Sequence, residues 1–526
     1  MVLKVLFVLI FLWGGVNTYR ILVALPYIGR SHYRFGSALS QGLAAAGHEV
    51  TVISPYKELN PMPNYHQVYL EHTEKRVSAL QSEYTKLNFA TLSSRALFKA
   101  LTALRKETSG SITNSQNFQR FLQNKTRFDV ILIETIYSEE LLVLGYHFNA
   151  PIISISPVFD STEMYSFTAI PSMKSFTPNI FNSYTEQMNF WQRLHNMLTY
   201  FVVHYVSRMF MWAEWQANCE LMFPNTKNIP PLQVLKGDIS MILLNSHPSL
   251  TGSRLLSPNI IEVGGLAIQP DEVQPLPSDL QIFLDEANFG AIFFSLGTVV
   301  DDTQIMTEAN MAFLGAMAEL SNIKFLVKGN EMSKLAQNIP NVLVRSWFPQ
   351  KAILKHRNLR CFITHGGLNS IQESIYYSKP IIVIPFYFDQ FVNARWAHEN
   401  GYGIELPFSE MTKTKLKSSI ERVLHDSSYT IQAHITSERF RDRIVGPMET
   451  AIYWTEYLAE TKGAPHLHSD ATHFATYLFY NLDVWAFFFT IILSIGFILL
   501  FVAWKILATI ISFIKLRSRR AKVKLP

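Results

Sequence analysis

Trp347-Phe-Pro-Gln350, then Cys361-Phe-Ile-Thr-His-Gly-Gly-Leu-Asn-Ser370, then Ile381-Ile-Val-Ile-Pro-Phe-Tyr-Phe-Asp-Gln390 carry the densest information in this chain. The apolar run 361–364 is broken by His365-Gly366-Gly367, and residues 369–377 have helical spacing with Glu373 one turn in. This pattern predicts a strand, a glycine turn and a helix. Adjacent glycines let backbone approach an anion, and the free N–H groups and positive dipole end of a helix favour a diphosphate. Donors on His365, Asn369 and Ser370 and the amides around Gly367 reinforce that expectation. Upstream, the flat Trp347 ring and the Gln350 amide sit on a proline-fixed turn, suited to stacking on a base and bonding its edge. Glu373 is placed to accept ribose hydroxyls. The strand expected over 381–384 ends at Pro385, with Asp389 and Gln390 on the loop beyond, where ligands bind in open parallel sheets. An acid beside an amide suits neighbouring sugar hydroxyls.

The same alternation extends in both directions. Strands are expected at 21–25, 48–53, 128–133, 152–155 and 239–244, with a helix at 36–46. A tract with three prolines, 269–277, reads as a linker. After it the pattern restarts with strands at 291–295, 324–327 and 342–344 and a helix at 306–320. The expected class is α/β, with two doubly wound domains over 19–265 and 286–470 joined by 266–285. Within 189–218, Trp191, Phe201, Phe210, Trp212 and Trp215 share a helical region with Arg193 and His195. An acceptor wall or a membrane-surface contact are open readings; packing on its own domain is preferred, because aromatic stripes are usually core.

Hydrophobic residues make up 48% of the 526, high enough to direct attention to membrane segments. Residues 1–18 read as a cleaved secretory signal, with an apolar run too short to span a bilayer and small residues after it. Residues 484–504 are uncharged and mainly apolar with aromatics at both ends, the pattern of a transmembrane helix. The tail 505–526 holds seven Lys or Arg and no acid; the formal +5 less those seven leaves about −2 on the rest of the chain. The basic excess thus belongs to a stop-transfer flank and gives no case for nucleic acid binding. By the positive-inside rule the tail is cytosolic and the remainder lumenal. Two cysteines, Cys219 and Cys361, provide no disulfide framework. Asn124-Lys-Thr126 is an N-glycosylation sequon on the expected lumenal side.

Trp347-Phe-Pro-Gln350, Thr364-His-Gly-Gly367, Glu373, Pro385, Asp389-Gln390 and Asn393 together resemble the signature of the UDP-glycosyltransferase family, in a form closer to insect members. Phe294-Ser-Leu-Gly-Thr298, Val263-Gly-Gly265, Glu449-Thr450 through Tyr457, and Gly463-Ala-Pro-His-Leu467 extend the resemblance over nearly the whole chain from Arg20. It implies the GT-B arrangement, two Rossmann-like domains facing across a cleft, with a C-terminal anchor. It implies a UDP-sugar co-substrate held by Ser295, Gly297, Thr298, Trp347, Gln350, His365, Gly367, Asn369, Ser370, Glu373, Asp389 and Gln390. No metal and no further cofactor are expected, since no Asp-x-Asp pattern is evident and Asp301-Asp302 has no metal role in the family. Lys522 and Lys524 resemble a dilysine signal for retrieval to the endoplasmic reticulum. Self-association is a further implication for membrane-tethered members.

Pro26-Tyr-Ile-Gly-Arg-Ser-His-Tyr33 places His32 on the loop entering the first helix, beyond a strand's C-terminal end. By position and context it resembles the family's catalytic histidine, which implies a general base for an acceptor hydroxyl. Such a base needs an orienting carboxylate. Glu134 aligns with an aspartate found in many relatives, one methylene shorter, and Glu139 is the reserve. The resemblance implies inverting transfer of a hexosyl group, from UDP-glucose in preference to UDP-glucuronate, to a small lipophilic acceptor, as in detoxification. The competing reading is a non-catalytic lumenal carrier of hydrophobic ligands that keeps UDP binding.

Overall fold

The computed structural model describes residues 18–58, 62–71, 73, 94–124, 126–136, 138–159, 168, 173–202, 207–297, 305 and 307–522. Strands β1 (Arg20–Ala24), β2 (Glu49–Ser54), β3 (Tyr65–Tyr69), β4 (Val130–Glu134), β5 (Ile152–Ser156), β6 (Ile239–Leu244) and β7 (Ile260–Glu262) form one sheet. Its order is 3-2-1-4-5-6-7, and every pairing is parallel. A second parallel sheet, in order 10-9-8-11-12-13, contains β8 (Ala291–Ser295), β9 (Lys324–Lys328), β10 (Val342–Arg345), β11 (Leu359–Thr364), β12 (Ile381–Val383) and β13 (Gly403–Glu405). The central strands β4, β5, β6 and β8 are buried at every position, so both sheet faces must be covered. Separate apolar clusters do this on the two faces of each sheet.

Helix α1 (Arg30–Ala45) follows β1 and buries Phe35, Leu39 and Leu43. It begins six residues before the expected helix, because Gly29 serves as its N-cap and Gly36 is no breaker. A Cβ on Gly36 would lie 2.2 Å from Leu25 Cδ2, so the glycine permits a close helix-to-strand approach. His32 consequently stands in the first turn of α1, not on the preceding loop.

The aromatic region divides into α2 (Phe190–Tyr200) and α3 (Ser207–Met222). Trp215 is buried, as the packing reading requires. Trp191, at 72% exposure, and Phe201 contradict that reading. Helix α2 buries Asn196 instead, whose side chain donates to the Lys174 and Thr177 carbonyls and accepts from the Asn179 N–H and Asn182 Nδ2. Tyr200 is buried beside it on the same helix, so a hydrogen-bonded amide and a single ring, not the tryptophan stripe, set the orientation.

Helices α4 (Leu368–Tyr376) and α5 (Asp389–Glu399) follow β11 and β12. Part of the range 286–470 expected for the second domain packs on the first. Helix α6 (Pro447–Thr461) returns to the first sheet, where Ala451 and Leu458 share a core with Ile21, Val23 and Leu39 and Glu456 bonds His48. Residues 469–526 form a separate unit dominated by α7 (Leu482–Lys522), of which Leu482–Arg519 is long and apolar enough to cross a membrane. Its 41 residues span roughly 60 Å, about twice a hydrocarbon core, so the helix runs well past the span expected at 484–504. The expected signal segment, apart from Thr18, and Thr298, Asp301, Asp302 and Lys524 lie outside the described residues.

Candidate functional site

In each sheet the strand order reverses at one point, between β1 and β4 in the first and between β8 and β11 in the second. Loops leaving adjacent strands on opposite sides of such a point diverge and open a crevice. His32 follows β1 and Glu134 ends β4. Ser295 ends β8, Gly297 follows it, and His365 follows β11. Every candidate from these strands therefore lies at a C-terminal strand end beside a switch point.

His32 Nδ1 lies 2.5 Å from Glu134 Oε1. With the carboxylate accepting, Nδ1 carries the proton and Nε2 keeps its lone pair. The imidazole side chain is 17% exposed and that of Glu134 fully buried, so one face of the pair is open and the other is closed. Tyr27 covers the ring, with centroids 4.6 Å apart. Its phenol is pushed well above the ordinary range, by burial first and then by the Glu134 charge. The reserve acid Glu139 is occupied elsewhere. It pairs with Lys236 and lies 3.8 Å from Arg105, which also pairs with Glu140. The sequence left two acids open because the 3-10 turn Glu139–Leu142, which turns Glu139 into that buried cluster, has no local signal.

The glycine turn is built around His365. Gly297 has φ +80°, and a Cβ there would lie 2.5 Å from the His365 ring; one on Gly367 would lie 2.6 Å from Nε2. Gly366, at φ +89°, supplies the left-handed turn, while Gly367 is the extended N-cap of α4. His365 is held down to about 4, chiefly by burial and secondarily by the Lys328 charge, so it is a neutral donor at physiological pH. Lys328 Nζ donates to the Gly297 carbonyl (2.7 Å). The sequence reading missed this cation; its signal was a lysine closing the strand beside β8. The Ser295 hydroxyl accepts from the Gly297 N–H (3.3 Å).

Trp347 is 61% exposed while neighbouring Phe348 is buried, leaving the indole open to a stacking partner. Gln350 turns inward: its Nε2 donates to Glu373 Oε2 (2.7 Å) and lies 3.3 Å from the Ser370 hydroxyl. Burial raises the Glu373 carboxyl, opposed by the Gln350 bond and by Arg34 and Lys351. Gln390 also has an internal task, its Oε1 accepting from the Phe386 and Tyr387 N–H groups (both 2.9 Å). Asn393, absent from the expected contact set, donates to both Asp389 Oδ2 and the Gly366 carbonyl (2.9 Å each), tying the acid to the glycine turn. Phe388 precedes Asp389 with φ +48° and ψ −125°, a strained conformation that aims the start of α5. Asp389 is pushed up to about 6 by burial, against the Asn393 bond and the positive influence of His32.

Asn369 spans the same gap, its Nδ2 donating to the Ser31 carbonyl (3.1 Å) and its Oδ1 accepting from Asn245 (3.1 Å). Asn124 is exposed and precedes β4, on the side of the N-terminal strand ends, whereas His32 follows a C-terminal strand end. Among the described residues no three or more His, Cys, Asp or Glu gather as a metal-binding group.

Comparison with known proteins agrees with this geometry. The family model described as UDP-glucoronosyl and UDP-glucosyl transferase matches residues 29–517. UDP-glucosyltransferase 2 of Dactylopius coccus is 31% identical over 89% of this chain and 89% of its own length. UDP-glucuronosyltransferase 1-2 of Mus musculus is 30% identical over 71% of this chain and 68% of its own. The crystal structure of the glycotransferase of kitacinnamycin shares the fold with a TM-score of 0.57 at 16% identity, covering 84% of this chain and 99% of that one. The parallel sheets with facing switch points are a GT-B fold. With a family model spanning most of its length, this chain belongs to the UDP-glucuronosyl and UDP-glucosyl transferase family and is a UDP-glycosyltransferase.

Proposed function

We propose that the enzyme transfers a hexosyl group, from UDP-glucose in preference to UDP-glucuronate, to a hydroxyl of a small lipophilic acceptor with inversion at the anomeric carbon. The contact between His32 Nδ1 and Glu134 Oε1 at the switch point carries this reading. His32 Nε2 takes the acceptor proton as that oxygen bonds to the anomeric carbon, the bond from that carbon to the UDP oxygen breaks, and Glu134 stabilises the imidazolium. Charge developing on the leaving diphosphate meets the amides at the start of α4, the His365 ring, Ser370, Ser295 and Thr298. UDP-sugar is the co-substrate, and no metal or further cofactor is assigned a step. Similarity to the Dactylopius coccus UDP-glucosyltransferase supports the preference for glucose. The anomeric configuration of the purified product tests the mechanism: a β-glycoside from the α-linked donor is expected, and an α-glycoside contradicts direct displacement.

Trp347 stacks on uracil, Gln350 orients Glu373 toward the ribose, and Asp389 contacts the sugar together with the amide nitrogen of Gln390, whose Oε1 is held by backbone. Trp347→Ala raises donor KM about 10-fold, as loss of roughly 1–3 kcal/mol of base stacking requires, and leaves kcat within about threefold; steady-state kinetics check this.

Asp389 accepts from sugar hydroxyls as an anion. Its carboxyl sits near 6 in the folded protein, above the ordinary 3.8. Its protonated form therefore favours folding below the ordinary value, and that contribution is lost as pH rises through about 6. Calorimetry is expected to show UDP-glucose losing its affinity advantage over UDP as pH falls below 6. Asp389→Asn is expected to raise Tm at pH 7.5 and not near pH 4.

The proposal includes a single-pass enzyme of the endoplasmic reticulum, with its site lumenal and its basic tail cytosolic, in keeping with α7 and the seven trailing cations. Endoglycosidase sensitivity that Asn124→Gln abolishes tests the orientation.

A further inference from the structure

Four amides join head to tail between the two sheets. The Gly265 N–H donates to Gln372 Oε1 (3.2 Å), Gln372 Nε2 to Asn245 Oδ1 (3.0 Å), Asn245 Nδ2 to Asn369 Oδ1 (3.1 Å), and Asn369 Nδ2 to the Ser31 carbonyl (3.1 Å). Asn245 Nδ2 also donates to the Pro157 carbonyl (2.8 Å), so both of its N–H groups are used. Asn245 is completely buried and Gln372 nearly so. Every donor in the series points the same way, and each bond polarises the next. Alongside, Phe159 of the first domain packs with Leu368, Val392 and Trp396 of the second. A Cβ on Gly264 would fall 2.5 Å from the Ser246 carbonyl oxygen, which shows how closely the backbone is held here.

The two ends of this relay matter. Ser31 precedes His32 in the first turn of α1, and Asn369 occupies the first turn of α4, where the diphosphate is proposed to bind. We propose that Asn245 is a positioning residue for sugar transfer. It fixes Asn369 so that one N–H anchors the Ser31 carbonyl, and with it the turn carrying His32, while the other N–H faces the donor diphosphate. The base is thereby registered against the donor site of the opposite domain. This inference rests on the reading of His32 as base.

The test uses the full-length chain carrying Asn245→Ala, Asn245→Asp, Asn369→Ala and the Asn245→Ala/Asn369→Ala pair. Cutting the relay at Asn245 is expected to lower kcat roughly 10- to 100-fold, the loss that misplacement of a catalytic group by about 1 Å brings. UDP affinity should fall less than kcat and stay within about threefold, since Asn245 spends both of its N–H groups inside the protein and only one of several proposed phosphate donors is loosened. Asn245→Asp should match Asn245→Ala, because Asp keeps the volume and the acceptor but loses both donors. The pair should be no slower than Asn369→Ala alone, as expected for two links of one chain. Hydrogen exchange over 30–36 should accelerate in Asn245→Ala whether or not substrate turns over. Additive losses in the pair, or an equal fall in UDP affinity and kcat, would overturn the proposal. Absence of turnover in the unmodified enzyme would overturn the base reading, whereas unchanged exchange would overturn the anchoring itself, so the two failures are told apart.

Discussion

His32→Ala lowers kcat/KM on the order of 10²- to 10⁴-fold, the share a positioned general base supplies, and leaves UDP affinity within about twofold. The separation follows from the architecture. His32 belongs to the first sheet's switch point, whereas the proposed UDP contacts Trp347, His365, Ser370 and Glu373 belong to the second domain. Steady-state kinetics beside calorimetry with UDP check both halves. A fall in UDP affinity matching the fall in kcat/KM would move His32 from catalysis to donor binding. His32 is partly exposed, so truncation leaves no fully enclosed cavity in the core.

Glu134→Gln has the second largest expected effect, a loss on the order of 10²- to 10⁴-fold in kcat with KM little changed, because the orienting charge and the tautomer are lost together. A neutral amide can offer its N–H to Nδ1, which would place the imidazole proton on Nε2, the nitrogen required to be basic. Glu134 is fully buried, and its Oε2 has no hydrogen-bond partner among the described residues. The amide therefore removes a buried charge, and Tm is expected to hold or rise while activity falls. A stability loss parallel to the activity loss would show that the carboxylate serves the fold. Glu134→Asp, one methylene shorter, should retain more activity than Glu134→Gln, since charge and tautomer survive and only reach suffers.

The central architecture was legible in the sequence wherever a strand is buried on both faces. The runs Val130-Ile-Leu-Ile133 and Ala291-Ile-Phe-Phe294 are apolar throughout, and their alternation with helical spacing specifies parallel winding. Strands β3, β7 and β13 were missed. Each is at a sheet edge and carries the polar or half-buried positions that edges permit, and β7 and β13 are only three residues long, so the pattern is weak.

The same division runs through the site. His32, Glu134, His365, Glu373 and Asp389 stood out in the sequence because each follows or ends a recognisable element, and the roles given to them rest on the resemblance. Gln350 and Gln390 were expected on the ligand, yet the structure commits Gln350 Nε2 to Glu373 and Gln390 Oε1 to two backbone N–H groups. An amide offers both a donor and an acceptor, and composition alone does not reveal which neighbour takes them. Asn245 and Gln372 escaped notice for a related reason. They lie 127 positions apart, and only the docking of α4 against the first domain makes them partners. The return of α6 to the first sheet was hidden in the same way, since its Ala451 and Leu458 read equally well as core of either domain.

Product formation by membranes containing the full-length chain, supplied with UDP-glucose or UDP-glucuronate and a panel of phenols, tests the central claim most directly. Glycoside formation from UDP-glucose that His32→Ala reduces at least about 100-fold is the predicted result. UDP binding without turnover from either donor would contradict it and would point to a carrier of hydrophobic ligands that retains the nucleotide site.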